Sequence, residues 1–187
     1  MKRIKLDYLA VSAMAAITFL FSAVVGASET AAQIDRDADN AISKLHTSSA
    51  TAIDLSRETK GVLIFPDVVK AGLIIGGQYG KGALRVGGKT TGYYSTSAVS
   101  YGLQAGAQSF GYAMYFMTDK ALEYLKNSDG WEVGFGPNIV VMDKGKAGSL
   151  TTTTTEDNIY VFFFDQTGLM AGLGVQGSKI AKINPDE

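Results

Sequence analysis

Apolar residues recur every three or four positions in the segment that follows residue 28. The stripe consists of Ala31, Ile34, Ala38, Ala41, Ile42 and Leu45. This spacing predicts an amphipathic helix. A short second helix through Ile53 and Leu55 is expected to stop at Gly61, because glycine suits the end of a helix.

Beyond Gly61 the pattern changes to short apolar runs and to strict alternation. In residues 97–108, Val99 and Tyr101 fall on one face, and the other face carries mainly glycine and glutamine. Alternation of this kind predicts strands, and a face of glycine and glutamine indicates a narrow interior or a close crossing of sheets. Gly87-Gly88 is typical of a hairpin turn, and Thr118 is a suitable N-cap for a helix over residues 119–127.

The sum of these elements predicts an α+β fold. We expect a mostly antiparallel, glycine-rich sheet of roughly eight strands that closes toward a barrel, with N-terminal helices and one inserted short helix. One strand is expected to end at Pro66-Asp67. We also expect a turn at Gln166-Thr167-Gly168 and a strand in the threonine run 151–155.

The first 27 residues resemble a targeting signal. Lys2, Arg3 and Lys5 precede an uncharged and mostly apolar run, which ends in the small residues 25–28. This arrangement predicts a signal peptide over 1–27, a single domain over 28–187, and a periplasmic or otherwise exported protein. The alternative is a retained membrane anchor, since the apolar run is long enough to span a bilayer.

Composition narrows the chemistry further. The chain has no cysteine and one histidine, which excludes disulfides, thiolate metal sites, a lipobox cysteine and a multi-histidine metal site within one chain. The net charge of −1 gives no general reason to bind nucleic acid. Gly77–Gly82 lacks the spacing of a phosphate-binding loop, and we find no catalytic constellation. The sequence therefore predicts a non-enzyme without metal or cofactor.

Basic residues concentrate in the glycine-rich half of the chain. Residues 60–89 contain one acidic residue, Asp67, and five basic ones: Lys60, Lys70, Lys81, Arg85 and Lys89. A local basic patch on a net-acidic protein is a candidate site for an anionic lipid headgroup. The alternative is that these are ordinary solvated side chains of the surface.

Several glycine-rich motifs together resemble the SYLF domain family. The resemblance covers roughly residues 30–183 and is closest to a bacterial exported branch; its motifs lie at 60–66, 92–95, 101–106, 134–137, 168–172 and 177–180. It implies a lipid-binding domain, with an anionic phospholipid or a membrane surface as partner. We therefore expect a phospholipid-binding protein of the bacterial cell envelope. The alternative is an envelope structural or stress protein that binds another protein or a glycan. The sequence leaves the oligomeric state open.

Overall fold

The computed structural model describes residues 29–132, 136–142 and 158–185. The signal peptide and the threonine run lie outside these ranges and stay predictions. The elements are α1 (Ala31–Ser48), α2 (Ala50–Glu58), β1 (Gly61–Val86), β2 (Lys89–Phe116), α3 (Asp119–Asn127), β3 (Trp131–Glu132), β4 (Asn138–Met142) and β5 (Asn158–Ile183).

All three helices in the described ranges begin at a side chain that caps them. Thr30, Ser49 and Thr118 each accept a backbone N–H from the residue three positions on, at 3.2–3.3 Å. The stripe predicted for α1 is buried at four of its six positions, so its helical register is confirmed. Within the described ranges, no helix is both long and apolar enough to cross a membrane.

The described strands form one mostly antiparallel sheet in the order β1-β2-β5-β3. β1 and β2 are joined by the predicted turn at Gly87-Gly88, and β5 pairs along nearly the whole length of β2. β4 is the exception, because it runs parallel to the first residues of β5. The α+β class and the mostly antiparallel sheet are confirmed.

The expected set of about eight short strands is wrong in one respect: three of the observed strands are 26 to 28 residues long. Pro66 and Gln166–Gly168 do not end strands, because bulges absorb the irregular residues and pairing resumes beyond them. β1 also bends sharply at Ile74, which has a φ of 69°. The bend brings Gly72 against Gly76, where a Cβ atom on Gly72 would lie 2.8 Å from the Ile75 carbonyl oxygen. The long strands therefore curl the sheet into a half-barrel.

Each face of the curled sheet carries its own apolar core. The concave face holds one core together with α3 and Trp131. The other face holds a second core under α1 and α2, in which Ile34 and Ala38 pack with Val62, Ile64 and Tyr115. Alternate residues of one strand thus enter different cores, as the period of two requires.

Candidate functional site

The concave face of the half-barrel contains a cavity of about 250 Å³ with two chemically different parts. Its floor is apolar and aromatic, formed by Phe110, Tyr112, Met114, Ile139, Val141, Val161, Phe163 and Ile180. The remaining lining residues, which we call the rim, are polar: Lys70, Gln78, Thr96, Gln108 and Ser178, of which Thr96 is itself buried. A cavity of this kind suits a ligand that is apolar at one end and polar or anionic at the other.

Strand alternation explains how the sequence builds this lining. Phe110, Tyr112 and Met114 project to the same face of β2, and Val161 and Phe163 do so on β5. On the far side of β5, the parallel strand β4 supplies Ile139 and Val141. The floor therefore depends on three strands that meet only after folding.

Aromatic rings form a continuous cluster in the floor. The Tyr112 ring centroid lies 4.8 Å from that of Phe65 and 5.6 Å from that of Phe163, and Phe110 lies 5.7 Å from Phe163. Phe163 is about half exposed, whereas Tyr112 is buried. The cluster thus extends from the core to the opening of the cavity.

Tyr112 places one hydroxyl group within this apolar cluster. Burial raises the pKa of the Tyr112 phenol far above its ordinary value, and a hydrogen bond with the Thr96 side chain opposes that shift more weakly. The phenol therefore stays neutral at physiological pH and serves as a hydrogen-bonding group. It links the aromatic floor to a residue of the polar rim.

The structure distributes the five predicted headgroup residues over different places. Lys70 lines the rim of the cavity on the concave face. Lys60 has its Nζ 4.0 Å from Asp119 Oδ2, and Lys89 is exposed beside the hairpin turn. Lys81 lines a second groove, between α1 and β1, where burial raises the pKa of Glu29 and the Lys81 ammonium partly opposes that rise. The five residues do not form one patch.

Arg85 holds α1 against the sheet. Its Nη2 atom donates to Asp39 Oδ1 at 2.6 Å and lies 3.4 Å from Asp35 Oδ1, and its side chain is only 18% exposed. Asp35 also accepts hydrogen bonds from the hydroxyls of Thr90 at 2.7 Å and Tyr93 at 2.9 Å. These contacts favour a structural role for Arg85 over contact with a headgroup.

Two further cavities among the described residues are lined differently. The groove between α1 and β1, of about 530 Å³, carries Asp37, Asp67 and Asp165 besides Glu29, with lysines among them. The third, of about 390 Å³, lies between α3 and the segment at Pro137. Among the described residues, no three histidine or acidic side chains are arranged to hold a metal.

The sequence analysis named Lys70 as a candidate but did not predict the apolar floor. The signal was present in the alternation of Phe110, Tyr112 and Met114, which marks one face of a strand. Alternation cannot show whether a packed core or a cavity covers that face, because this depends on how the sheet bends.

Comparison with known families gives a match over the second half of the chain. Residues 97–185 match the Ysc84 family, described as "Las17-binding protein actin regulator". The match covers β2 from residue 97 onward, α3, β4 and β5, and all the residues of the cavity floor lie within it. This family, which includes the SYLF domains, comprises actin-regulating and lipid-binding domains and is not a known enzyme family. No curated protein matches the chain significantly.

Proposed function

The chain belongs to the Ysc84 (SYLF) family through residues 97–185, and from that premise we propose that it is a non-catalytic phospholipid-binding protein of the bacterial cell envelope. The observation that carries the proposal is the cavity on the concave face, where an aromatic and aliphatic floor meets a polar rim that contains Lys70. A phospholipid has the same division into an apolar chain and an anionic headgroup.

The lining assigns each part of a phospholipid to a part of the cavity. The Lys70 ammonium would attract the phosphate, and the amide groups of Gln78 and Gln108 would offer hydrogen bonds to headgroup oxygens. An acyl chain would lie along Phe163 and Val141, which are both about half exposed and would lose contact with water on binding. At about 250 Å³ the cavity takes part of one acyl chain rather than a whole lipid.

The cell envelope is inferred from the sequence of residues 1–27. The basic start, the apolar run and the small residues 25–28 are those of an exported protein. Phospholipid is abundant in that compartment, whereas actin is absent from it. The exported location therefore favours the lipid-binding over the actin-regulating side of the family.

The test is native mass spectrometry of the exported protein, followed by lipid extraction and liposome flotation. We expect a retained phospholipid, and we expect Lys70→Gln to weaken binding to anionic liposomes about fivefold, as loss of about 1 kcal/mol of headgroup attraction implies. Phe163→Ser should also weaken retention, because it removes part of the floor.

Lys89→Gln is the matched control. It removes the same charge from an exposed lysine away from the cavity, and it should leave lipid retention unchanged. The proposal is wrong if the wild-type protein retains no phospholipid and binds none in flotation. If Lys70→Gln and Lys89→Gln weaken binding equally, lipid binding does not depend on the cavity.

A further inference from the structure

The bend of the sheet exposes a group of large apolar side chains that no other part of the described chain covers. We call this group the apex; it consists of Leu73, Ile74, Ile75, Val99, Tyr101 and Leu169, which are 53% to 89% exposed. None of these side chains belongs to either apolar core. Soluble proteins rarely leave so many large apolar side chains together on a surface without a partner.

Pairing between the strands brings the apex residues together. Ile75 lies directly opposite Tyr101 on β2, and Val99 lies opposite Gly77 two pairs further along. Leu169 on β5 lies opposite Ala107, which itself pairs with Ala71 on β1. Three adjacent strands therefore present one continuous apolar surface at the bend.

The three strands are also free of charged residues around the apex. No Asp, Glu, Lys or Arg occurs at 71–80 on β1, at 90–116 on β2 or at 166–178 on β5. Charged residues return only at the ends of these stretches, at Lys70, Lys81, Lys89, Asp165 and Lys179. The apex is thus an uncharged surface bordered by charged residues.

This charge pattern fits a bilayer better than a protein partner. Interfaces between proteins usually have a polar rim that includes charged side chains close to the apolar centre. Here the nearest charged residues along the strands lie three to six positions from the apex, from Lys70 before Leu73 to Lys81 after Ile75, which is roughly 10–20 Å of extended strand. Elements that lie in a membrane interface bury their apolar side chains to roughly 5–10 Å, so the charged border would stay in the headgroup layer or in water.

We propose that the apex inserts into the interfacial layer of a phospholipid bilayer and docks the protein there. The inference rests on the proposed function in that the ligand is phospholipid, but it concerns a different surface from the cavity. Docking would bring the cavity close to its ligand, because Lys70 on the cavity rim lies three residues before Leu73 of the apex.

Single-cysteine labelling tests insertion directly, since the chain has no native cysteine. An environment-sensitive NBD group is attached to Ile75→Cys, to Leu169→Cys and, as control, to Lys89→Cys at the hairpin turn. Vesicles of phosphatidylethanolamine and phosphatidylglycerol are then added. We expect a severalfold rise and a blue shift of emission at positions 75 and 169, and no change at position 89.

A charge-matched pair of variants tests whether insertion drives binding. Leu73→Glu with Ile75→Glu changes the net charge by the same amount as Lys89→Glu. We expect the double variant to lose about tenfold or more in vesicle binding, because two apolar side chains no longer enter the interface. Lys89→Glu should lose far less. Both variants should keep the wild-type melting temperature, since none of the three residues is buried.

A soluble short-chain phospholipid, dihexanoyl phosphatidylglycerol, separates this inference from the proposed function. The double variant should still bind it. A wild-type protein that binds the soluble lipid but not vesicles overturns the apex proposal and leaves the proposed function intact. A wild-type protein that binds neither overturns both.

Self-association is the remaining outcome against the proposal. If light scattering shows that the double variant turns a lipid-free dimer into a monomer, and the label at position 75 does not respond to vesicles, the apex is a contact between two copies of the chain.

Discussion

Leu63 and Leu73 lie ten residues apart on β1, and their surroundings are opposite. Leu63 is fully buried in the core of the concave face, whereas Leu73 is 71% exposed at the apex. Around Leu63, both faces of the sheet are covered by packed side chains, on one side under α1 and α2. Around Leu73, no residue in the described part of the chain provides such cover. The same three strands therefore build a stable body and a bare apolar surface.

The difference shows where the free energy of unfolding resides. Burial of apolar side chains is the main favourable contribution to folding, and it is concentrated in the covered part of the sheet. The apex contributes backbone pairing but little side-chain burial. The side chains of the apex can therefore be suited to binding with little effect on the free energy of unfolding.

The largest effect expected from this comparison is that of Leu63→Ala. It should lower the free energy of unfolding by about 2–5 kcal/mol, because it leaves a cavity in a packed core. Leu73→Ala is the matched control on the same strand and should change it by less than about 0.5 kcal/mol. Urea denaturation of both variants measures the two values. Similar losses for both would show that the apex is covered in solution.

Gly106→Val tests the close approach of strands near the apex. Gly106 has a φ of +136°, and a Cβ atom there would collide with the backbone of Leu169 on β5. Backbone strain and overpacking should lower the free energy of unfolding by about 1–3 kcal/mol. The control is Ala107→Val, at the next and exposed position. If Gly106→Val melts like the control, β2 and β5 are not closely paired here.

Local sequence signals determined the helices well. The predicted cap at Thr118 and the predicted stripe in α1 act within a few residues, as do the caps that the structure shows at Thr30 and Ser49, and the bounds of α3 agree with the prediction. Period-two alternation likewise marked the strands and the hairpin turn at Gly87-Gly88.

The long-range features of the fold could not be predicted from the sequence, because they depend on contacts between residues that are distant along the chain. The local sequence around Pro66 predicts the end of a strand, but β1 continues to pair with β2 beyond it through a bulge. The local sequence around Arg85 predicts a solvated surface cation, whereas in the folded chain Arg85 donates a hydrogen bond to Asp39. Lys70 could be named as a candidate, but the floor of its cavity comes from β2, β4 and β5 and was not predictable from any one of them.

Arg85→Gln measures how much the contacts of Arg85 with α1 contribute to the free energy of unfolding. The variant leaves Asp35 and Asp39 without their guanidinium partner, and we expect a loss of about 1–2 kcal/mol in the free energy of unfolding. Lys44→Gln removes an ion pair with Asp165 in which both side chains are at least half exposed, so it should cost less than about 1 kcal/mol. Thermal and urea denaturation compare the two. A smaller effect for Arg85→Gln would mean that apolar packing alone holds α1.

The smallest expected effect is a pH dependence located at His46 on α1. Burial lowers the pKa of His46, whose Nε2 lies 3.2 Å from the Tyr115 hydroxyl oxygen. With a folded pKa below the unfolded value of about 6.5, the unfolded chain binds more protons just below that pH. The stabilising contribution of neutral His46 is therefore complete above about pH 6.5 and is lost as the pH falls through the folded pKa.

Urea midpoints at about pH 7.5 and about pH 5 test this dependence. The wild-type midpoint should fall more between the two values than that of His46→Gln, because glutamine does not titrate. The urea midpoint of Leu73→Ala, at the apex, should fall between the two pH values by as much as that of the wild type, since this variant leaves His46 and its surroundings intact. If the midpoint of His46→Gln falls by as much as that of the wild type, the loss of stability at low pH comes from other titrating groups and not from the histidine. Glu29 in the groove beside α1 would act in the opposite direction, because burial raises its pKa and its protonation favours the folded state.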